Sequence, residues 1–108
     1  MNRFQVVLTE HAIADLEEVS KGIREQMERD LKALQTSPLP SGNQIKRLKG
    51  FRPPIYRLRS GDFRILSHIR EDRVTVLRVI NRKILERVIK RLNLKLSISG
   101  DKLKQKRG

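Results

Sequence analysis

The first third of the chain carries a short apolar run followed by two segments with apolar residues at helical spacing. Residues 4–8 (Phe-Gln-Val-Val-Leu) are rich in β-branched and aromatic side chains, which predicts a strand. The spacing predicts one helix over 10–19, with Thr9 as its N-cap, and a second helix over 21–36. The apolar stripes expected to face the core are Ile13, Leu16, Val19, Ile23, Met27, Leu31 and Leu34.

Three further strands are predicted in the second half, where short apolar runs are separated by turn residues. These strands cover 55–59, 63–70 and 74–80, and the segment 82–92 has the spacing of a closing helix. The turns Ser60-Gly61-Asp62 and Glu71-Asp72 are short, so neighbouring strands are expected to be antiparallel. The basic stretch 45–54 contains Gly50 and Pro53-Pro54 and is predicted to be irregular.

The predicted element order is β-α-α-β-β-β-α, which is typical of an α+β domain. In this fold class an N-terminal strand and a helical hairpin pack on an antiparallel meander, and a C-terminal helix follows. The chain has 108 residues, enough for one domain. We expect that domain to cover 1–92 and to be followed by a basic tail over 93–108.

Composition excludes several classes of function. The chain has no Cys, which excludes disulfides, thiol catalysis and a cysteine zinc site. His11 and His68 are the only histidines, so no metal site is expected. No apolar run approaches the length of a membrane span, and no signal-peptide pattern is present. These features predict a cytoplasmic protein without membrane association.

The net charge of +13 is distributed unevenly along the chain. Residues 1–36 contain five Lys or Arg and seven Asp or Glu, whereas residues 37–108 contain twenty and five. A charge of this size in one region indicates a polyanionic partner. Nucleic acid is the simplest such partner, and an acidic protein that covers the basic surface is the alternative.

Strand alternation assigns several arginines to one face of the predicted sheet. Arg57 and Arg59 are two residues apart in one strand, and Arg64 shares a face with Leu66 in the next. Arg82 follows the last strand, so all four arginines are predicted to converge if the strands pair as a meander. The alternative is that each is solvated or pairs with an acid, the candidates being Asp62, Glu71, Asp72 and Glu86.

Two other polar residues on the predicted strands have a structural interpretation. His68 on its strand is more typical of a packed or surface residue than of a catalytic one. Arg78 lies in an otherwise apolar strand, and burial there would require a carboxylate partner.

Three sequence segments together resemble the RelE/ParE superfamily of bacterial type II toxins. They are Lys49-Gly50, residues 56–66 (Tyr-Arg-Leu-Arg-Ser-Gly-Asp-Phe-Arg-Ile-Leu) and residues 74–83 (Val-Thr-Val-Leu-Arg-Val-Ile-Asn-Arg-Lys). The resemblance covers about 2–92 and is greater to the RelE branch. It implies the RelE-like microbial RNase fold and a cofactor-independent, metal-independent mRNA interferase. Such toxins cut mRNA in the ribosomal A site, where the ribose 2′-OH attacks the adjacent phosphate.

The resemblance also implies residue roles and partners. Arg57, Arg59, Arg64 and Arg82 match the basic positions of the family's catalytic site, and Arg64 and Arg82 are expected to hold the phosphate. Further candidate RNA contacts are Lys46, Arg47, Lys49, Arg52 and Lys83. The expected partners are the ribosome, mRNA and a cognate acidic antitoxin that docks on the basic region and the terminal helix.

The chain departs from the family pattern at the positions that usually supply acid–base chemistry. Asn81 replaces a common His, while Glu86 and Val88 stand where many members have a Tyr. Arginine is a poor general base because its pKa is above about 12, which leaves Glu86 as the candidate base. Two alternatives therefore stay open: a ParE-like inhibitor of DNA gyrase, and a non-catalytic RNA- or ribosome-binding protein whose basic tail contributes affinity.

Overall fold

The computed structural model describes residues 3–92 and has the predicted α+β architecture. Its elements are β1 (Gln5–Leu8), α1 (Glu10–Glu17), α2 (Lys21–Ala33), β2 (Ile45–Leu48), β3 (Ile55–Ser60), β4 (Phe63–Arg70), β5 (Arg73–Asn81), a 3₁₀ turn (Arg82–Ile84) and helix α3 (85–92). The predicted tail, 93–108, lies outside the described residues. Within residues 3–92, no helix has the length and apolar character that a membrane crossing requires.

The five strands form one sheet in the order β1-β5-β4-β3-β2. Strands β3, β4 and β5 form the predicted antiparallel meander, while β1 pairs in parallel with β5. The prediction of an irregular 45–54 segment is wrong for its first part, because Ile45–Leu48 forms β2 and pairs antiparallel with β3. Its two central residues, Lys46 and Arg47, are charged. Charged residues do not by themselves predict a strand, but a strand at the edge of a sheet tolerates them.

One face of the sheet packs against the helical hairpin. Met27 of α2 and Leu34, the residue that caps its C-terminus, are fully buried there against Ile65 and Val76. Two members of the predicted stripes are not core residues, since Ile13 is 47% exposed and Ile23 is 43% exposed. In α1 Ala12 takes the buried position that was predicted for Ile13, while Leu16 and Val19 pack against the core as predicted. Ile23 lies near the start of α2, ahead of its buried residues Met27 and Leu31.

The other face of the sheet packs against α3. Val88 of α3 joins Ile55, Leu66 and Ile80 in a second apolar cluster, with Phe51 from the β2–β3 connection. The predicted arginines of β3 and β4 lie on the same face as this cluster, so α3 covers one part of the second face and the arginines occupy another.

Two polar residues fix α1 in place: Thr9 caps its first turn, and the carboxylate of Asp15, within the helix, bonds to β5. The Thr9 hydroxyl accepts a hydrogen bond from the Ala12 amide at 3.1 Å, which confirms the predicted N-cap. Arg78 has the carboxylate partner that its strand position required: its Nε donates to Asp15 Oδ2 at 2.8 Å. The same oxygen accepts the Val79 amide at 2.9 Å, beyond the end of β1. One α1 carboxylate thus satisfies both a cation and a strand amide.

Candidate nucleic-acid interface

Three arginines lie on neighbouring positions of β3 and β4. Arg59 is paired directly with Arg64 across the two strands, and Arg57 is paired with Leu66. Directly opposed residues of antiparallel strands share a face, so all three lie on the second face. Arg82 reaches the same corner because its amide donates to the Asp62 carbonyl in the β3–β4 turn at 2.9 Å. The structure therefore brings the four predicted arginines together, and we call them the arginine cluster.

Arg64 is held rigidly within this cluster. The residue is 8% exposed, and its Nη1 donates to the carbonyl oxygens of Gly61 and Phe63 at 2.9 and 2.8 Å. Gly61 adopts a φ of +57°, a conformation that glycine accepts without strain and that allows the turn to present its carbonyl. A guanidinium has five N–H donors, so these two bonds orient the group while leaving donors for a ligand.

The cluster is electrostatically unfavourable when unoccupied. Burial lowers the pKa of the Arg64 guanidinium below its ordinary value, and the charges of Arg59, Arg57 and Arg82 lower it further. Asp62 acts in the opposite direction. Arg64 remains charged at neutral pH because a guanidinium is not deprotonated in proteins. The geometry consequently favours any oxyanion that can accept hydrogen bonds from several guanidiniums at once.

Arg57 has an unsatisfied donor at this surface. Its Nε is buried and has no hydrogen-bond partner within the described part of the chain. An unpaired buried donor of this kind carries a desolvation cost of about 1–3 kcal/mol. Because the neighbouring side chains are also cationic, a bound oxyanion is the group best suited to remove that cost.

Asp62 is the acid that the structure adds to the cluster. Its Oδ1 lies 3.7 Å from Arg82 Nε, and both side chains are largely exposed. This pair fulfils the alternative role predicted for one arginine, although an exposed pair contributes little to stability. Its position between Arg59 and Arg64 in the chain was a usable sequence signal, because a short turn keeps its residues beside both strand ends.

Phosphate is expected to stabilise the fold through this cluster. We expect phosphate at about five times its Kd to contribute about 1 kcal/mol and to raise Tm by roughly 4–8 °C. Thermal unfolding in phosphate and in chloride of equal ionic strength measures the effect, and Arg57→Gln is expected to reduce it. An equal rise in chloride would contradict specific anion binding.

The predicted RNA-binding residues divide into two groups. Lys46 is paired with Arg57 across β2 and β3, so it extends the arginine cluster on the second face. Arg47 is paired with Tyr56, whose side chain packs on the opposite core, so the structure separates Arg47 from the cluster. The remaining members are exposed and lie outside the strands: Lys49 and Arg52 in the β2–β3 connection, and Lys83 beside Arg82 in the 3₁₀ turn.

At two of the three positions that depart from the family pattern, the side chain has a structural role. Asn81 caps the 3₁₀ turn, since its Oδ1 accepts the Lys83 amide at 2.9 Å. Val88 is 7% exposed and belongs to the second apolar cluster. Glu86 is exposed on α3, and the acid whose charge acts on Arg64 is Asp62 rather than Glu86.

His68 is expected to make stability depend on pH in the mildly acidic range. It is half-buried on β4, and burial lowers its pKa below the ordinary value of about 6.5. The unfolded chain therefore binds a proton at His68 more readily than the folded chain does, so protonation favours unfolding. The contribution of His68 to the free energy of unfolding is lost as pH falls from about 6.5 toward the folded-state pKa. Urea unfolding at several pH values is expected to give a shallower pH dependence for His68→Gln. The control is His11→Gln, which removes an exposed imidazole on α1, and identical profiles for wild type and His68→Gln would contradict the prediction.

Comparison with solved structures identifies the fold. The RelBE2 toxin–antitoxin complex of Mycobacterium tuberculosis contains a chain that matches with a TM-score of 0.65 and 25% identity, over 74% of this chain and 99% of that chain. The RelB–RelE complex of Methanococcus jannaschii matches with a TM-score of 0.62 and 25% identity, over 76% and 96%. The archaeal RelE–RelB complex of Pyrococcus horikoshii OT3 matches with a TM-score of 0.65 and 19% identity, over 74% and 96%.

Sequence comparison places the chain in a family. No curated protein shows significant sequence similarity to it. The family model described as the ParE toxin of the type II toxin–antitoxin system, parDE, matches residues 6–86, which include the arginine cluster and all of the sheet except Gln5, the first residue of β1. The chain therefore belongs to the ParE toxin family of type II toxin–antitoxin systems, within the RelE/ParE superfamily that its sequence resembles.

Proposed function

We propose that this toxin is a ribosome-dependent mRNA interferase, a metal-independent endoribonuclease that cuts mRNA in the ribosomal A site. The observation that carries the proposal is the arginine cluster, in which Arg64 is buried, fixed by two carbonyl groups and surrounded by Arg57, Arg59 and Arg82. A cluster of this kind is costly for a folded protein and is suited to a phosphate group. The relatives with RelE in their names support the same branch of the superfamily.

The chemistry follows from where negative charge accumulates. Attack of the ribose 2′-OH on the adjacent phosphorus forms the new P–O bond and breaks the bond to the 5′ oxygen. The products are a 2′,3′-cyclic phosphate and a free 5′-OH, and the 2′ proton must be accepted as the 5′ oxygen is protonated. Preorganised guanidiniums stabilise the charge that builds on the phosphate oxygens in the transition state. In this mechanism Arg64 and Arg82 bind the phosphate, and Arg57 and Arg59 neutralise its charge.

A cognate antitoxin is part of the proposal. The similar structures from M. tuberculosis, M. jannaschii and P. horikoshii are toxin–antitoxin complexes. We propose that the partner of this chain is acidic and covers the arginine cluster, because opposite charge both speeds association and neutralises the unfavourable cluster. We also propose that residues 93–108, with five basic residues and one acid, add electrostatic affinity for RNA to the activity of residues 1–92.

Primer extension on a defined mRNA tests the activity. The purified toxin is added with and without programmed ribosomes, and the new 3′ ends are examined for a cyclic phosphate. We expect cuts that require ribosomes and lie in the A-site codon. Cuts at the same positions without ribosomes would contradict ribosome dependence, and intact mRNA at every protein concentration would contradict the interferase function.

Inhibition of DNA gyrase is the second candidate. The matched family model carries the ParE name, and Asn81 serves as a helix cap at the position where many interferases have a His. A gyrase supercoiling assay with the same preparation discriminates between the two functions. Inhibited supercoiling together with intact mRNA would favour the gyrase function, while ribosome binding without either activity would favour a non-catalytic binding protein.

A further inference from the structure

A pocket of about 430 Å³ lies on the side of the β3–β4 turn facing α2. Its walls are apolar where Ile23, Met27 and Phe63 contribute, and Ile23 is a large side chain left 43% exposed. Gln26, Asn81 and Asp62 are among its polar lining residues. A pocket that combines apolar residues with a few hydrogen-bonding residues is suited to a planar ligand with a polar edge.

The pocket and the arginine cluster share the β3–β4 turn as a common wall. Arg64 donates to the carbonyls of Gly61 and Phe63, and both of these residues also line the pocket. Asp62 lines the pocket while its carboxylate approaches Arg82 at 3.7 Å. A ligand with an anionic group on the cluster therefore has an adjacent pocket available, with the Asp62 carboxylate between the two.

We propose, on the basis of the RNA-directed function above, that this pocket binds the base of the ribonucleotide whose 3′-phosphate lies on Arg64 and Arg82. The Asp62 carboxylate accepts a hydrogen bond from the ribose 2′-OH. In a 3′-nucleotide the 2′-OH and the 3′-phosphate are on adjacent carbons, and the base is attached on the other side of the 2′ carbon. The pocket and the arginine cluster lie on opposite sides of the β3–β4 turn, and Asp62 lines the one while its carboxylate approaches Arg82 of the other, so a nucleotide that passes around the turn presents these groups in the same order.

The chemistry of each group supports a nucleoside as the occupant. A base fills an apolar pocket with its two faces, and its edge carries the donors and acceptors that the Gln26 and Asn81 amides can pair. A carboxylate only accepts hydrogen bonds when ionised, so it favours a hydroxyl over a second phosphate. Asp62 thereby distinguishes RNA from DNA at this position, since the 2′-OH is what differs between them.

Binding of small nucleotides tests the inference without ribosomes or catalysis. The probes are the four 3′-ribonucleoside monophosphates, their 2′-deoxy counterparts and inorganic phosphate, titrated into the full chain and followed by calorimetry and by NMR chemical shifts. We expect at least one ribonucleotide to bind about tenfold more tightly than phosphate, because its base adds an apolar contact worth roughly 1.4 kcal/mol. We expect about 3- to 10-fold weaker binding of its deoxy counterpart, the equivalent of one hydrogen bond.

Three variants separate the parts of the site. The double variant Ile23→Ala with Gln26→Ala is expected to lower ribonucleotide affinity to that of phosphate while leaving phosphate affinity unchanged. Asp62→Ala is expected to abolish the difference between ribose and deoxyribose without weakening phosphate binding. Glu25→Ala is the matched control, because Glu25 is exposed on α2 and does not line the pocket. Circular dichroism and thermal unfolding confirm that each variant is folded.

The outcomes distinguish this inference from the proposed function. Ribonucleotides that bind no better than phosphate, or shifts confined to residues away from the pocket, would overturn the inference even if ribosome-dependent cleavage is present. Base-dependent and ribose-dependent binding that responds to the variants would support it even if no mRNA is cut. An unchanged ribose preference in folded Asp62→Ala would overturn the assignment of Asp62.

Discussion

Arg64→Ala is expected to lower the rate of ribosome-dependent mRNA cleavage by about 10²–10³-fold, the typical loss when one preorganised donor to a transition-state oxyanion is removed. Arg64 is positioned for this role because the carbonyls of Gly61 and Phe63 fix its guanidinium and because burial limits the access of water that would compete for its hydrogen bonds. Single-turnover cleavage on programmed ribosomes, quantified by primer extension, measures the effect.

Two further variants make this result interpretable. Arg70→Ala removes an exposed arginine from the far end of the same strand, and we expect cleavage to stay close to that of the wild type. Arg64→Lys keeps the charge but loses the fork of donors, so an intermediate rate is expected. Wild-type cleavage by a folded Arg64→Ala protein would show that phosphate stabilisation depends on other residues.

Asp15→Ala is expected to lower the free energy of unfolding by about 2–3 kcal/mol, the range for removing one partner from a partly buried, hydrogen-bonded ion pair. The substitution leaves Arg78 without its carboxylate and the Val79 amide without an acceptor. The expected cost is kept below that of a fully buried pair because the two side chains retain 27% and 17% exposure. Urea unfolding with an unchanged m-value measures the loss as a lower midpoint.

Glu17→Ala is the matched control for this prediction. Glu17 is an exposed carboxylate at the end of the same helix, and its loss is expected to change stability by less than about 0.5 kcal/mol. Equal stability of Asp15→Ala and Glu17→Ala would mean that solvent replaces both hydrogen-bond partners of Asp15 at no cost.

Local pattern was sufficient to predict most of the elements. The short apolar runs at 55–59, 63–70 and 74–80 and the short turns between them predicted the β3–β4–β5 meander, which the register confirms. The helical spacing and the Thr9 cap predicted α1 and α2. These signals are local because each depends on residues within a turn or two of one another.

Pairing between distant segments was not predictable in the same way. The parallel pairing of β1 with β5 joins residues about seventy positions apart, and no turn signal specifies it. Strand β2 carries Lys46 and Arg47 at its centre, so its identity as a strand depends on hydrogen bonding to β3 rather than on its own propensity. The burial of Ala12 in place of Ile13 in α1 depends in the same way on the surface that the helix packs against.

The sequence by itself determined that Arg57 and Arg59 share one face of their strand and that Arg64 shares a face with Leu66 in the next, because side chains alternate along a strand. The register of β3 with β4, which belongs to the tertiary structure, placed all three arginines on the same face. Only the tertiary structure decided that Arg64 is buried and bonded to two carbonyls, that Arg82 joins the corner through the Asp62 carbonyl, and that Arg47 lies on the opposite face. Alternation specifies a direction for each side chain. Burial, strand register and the neighbours across the sheet are instead set by how separate elements pack, and they determine which charged side chains lie close together.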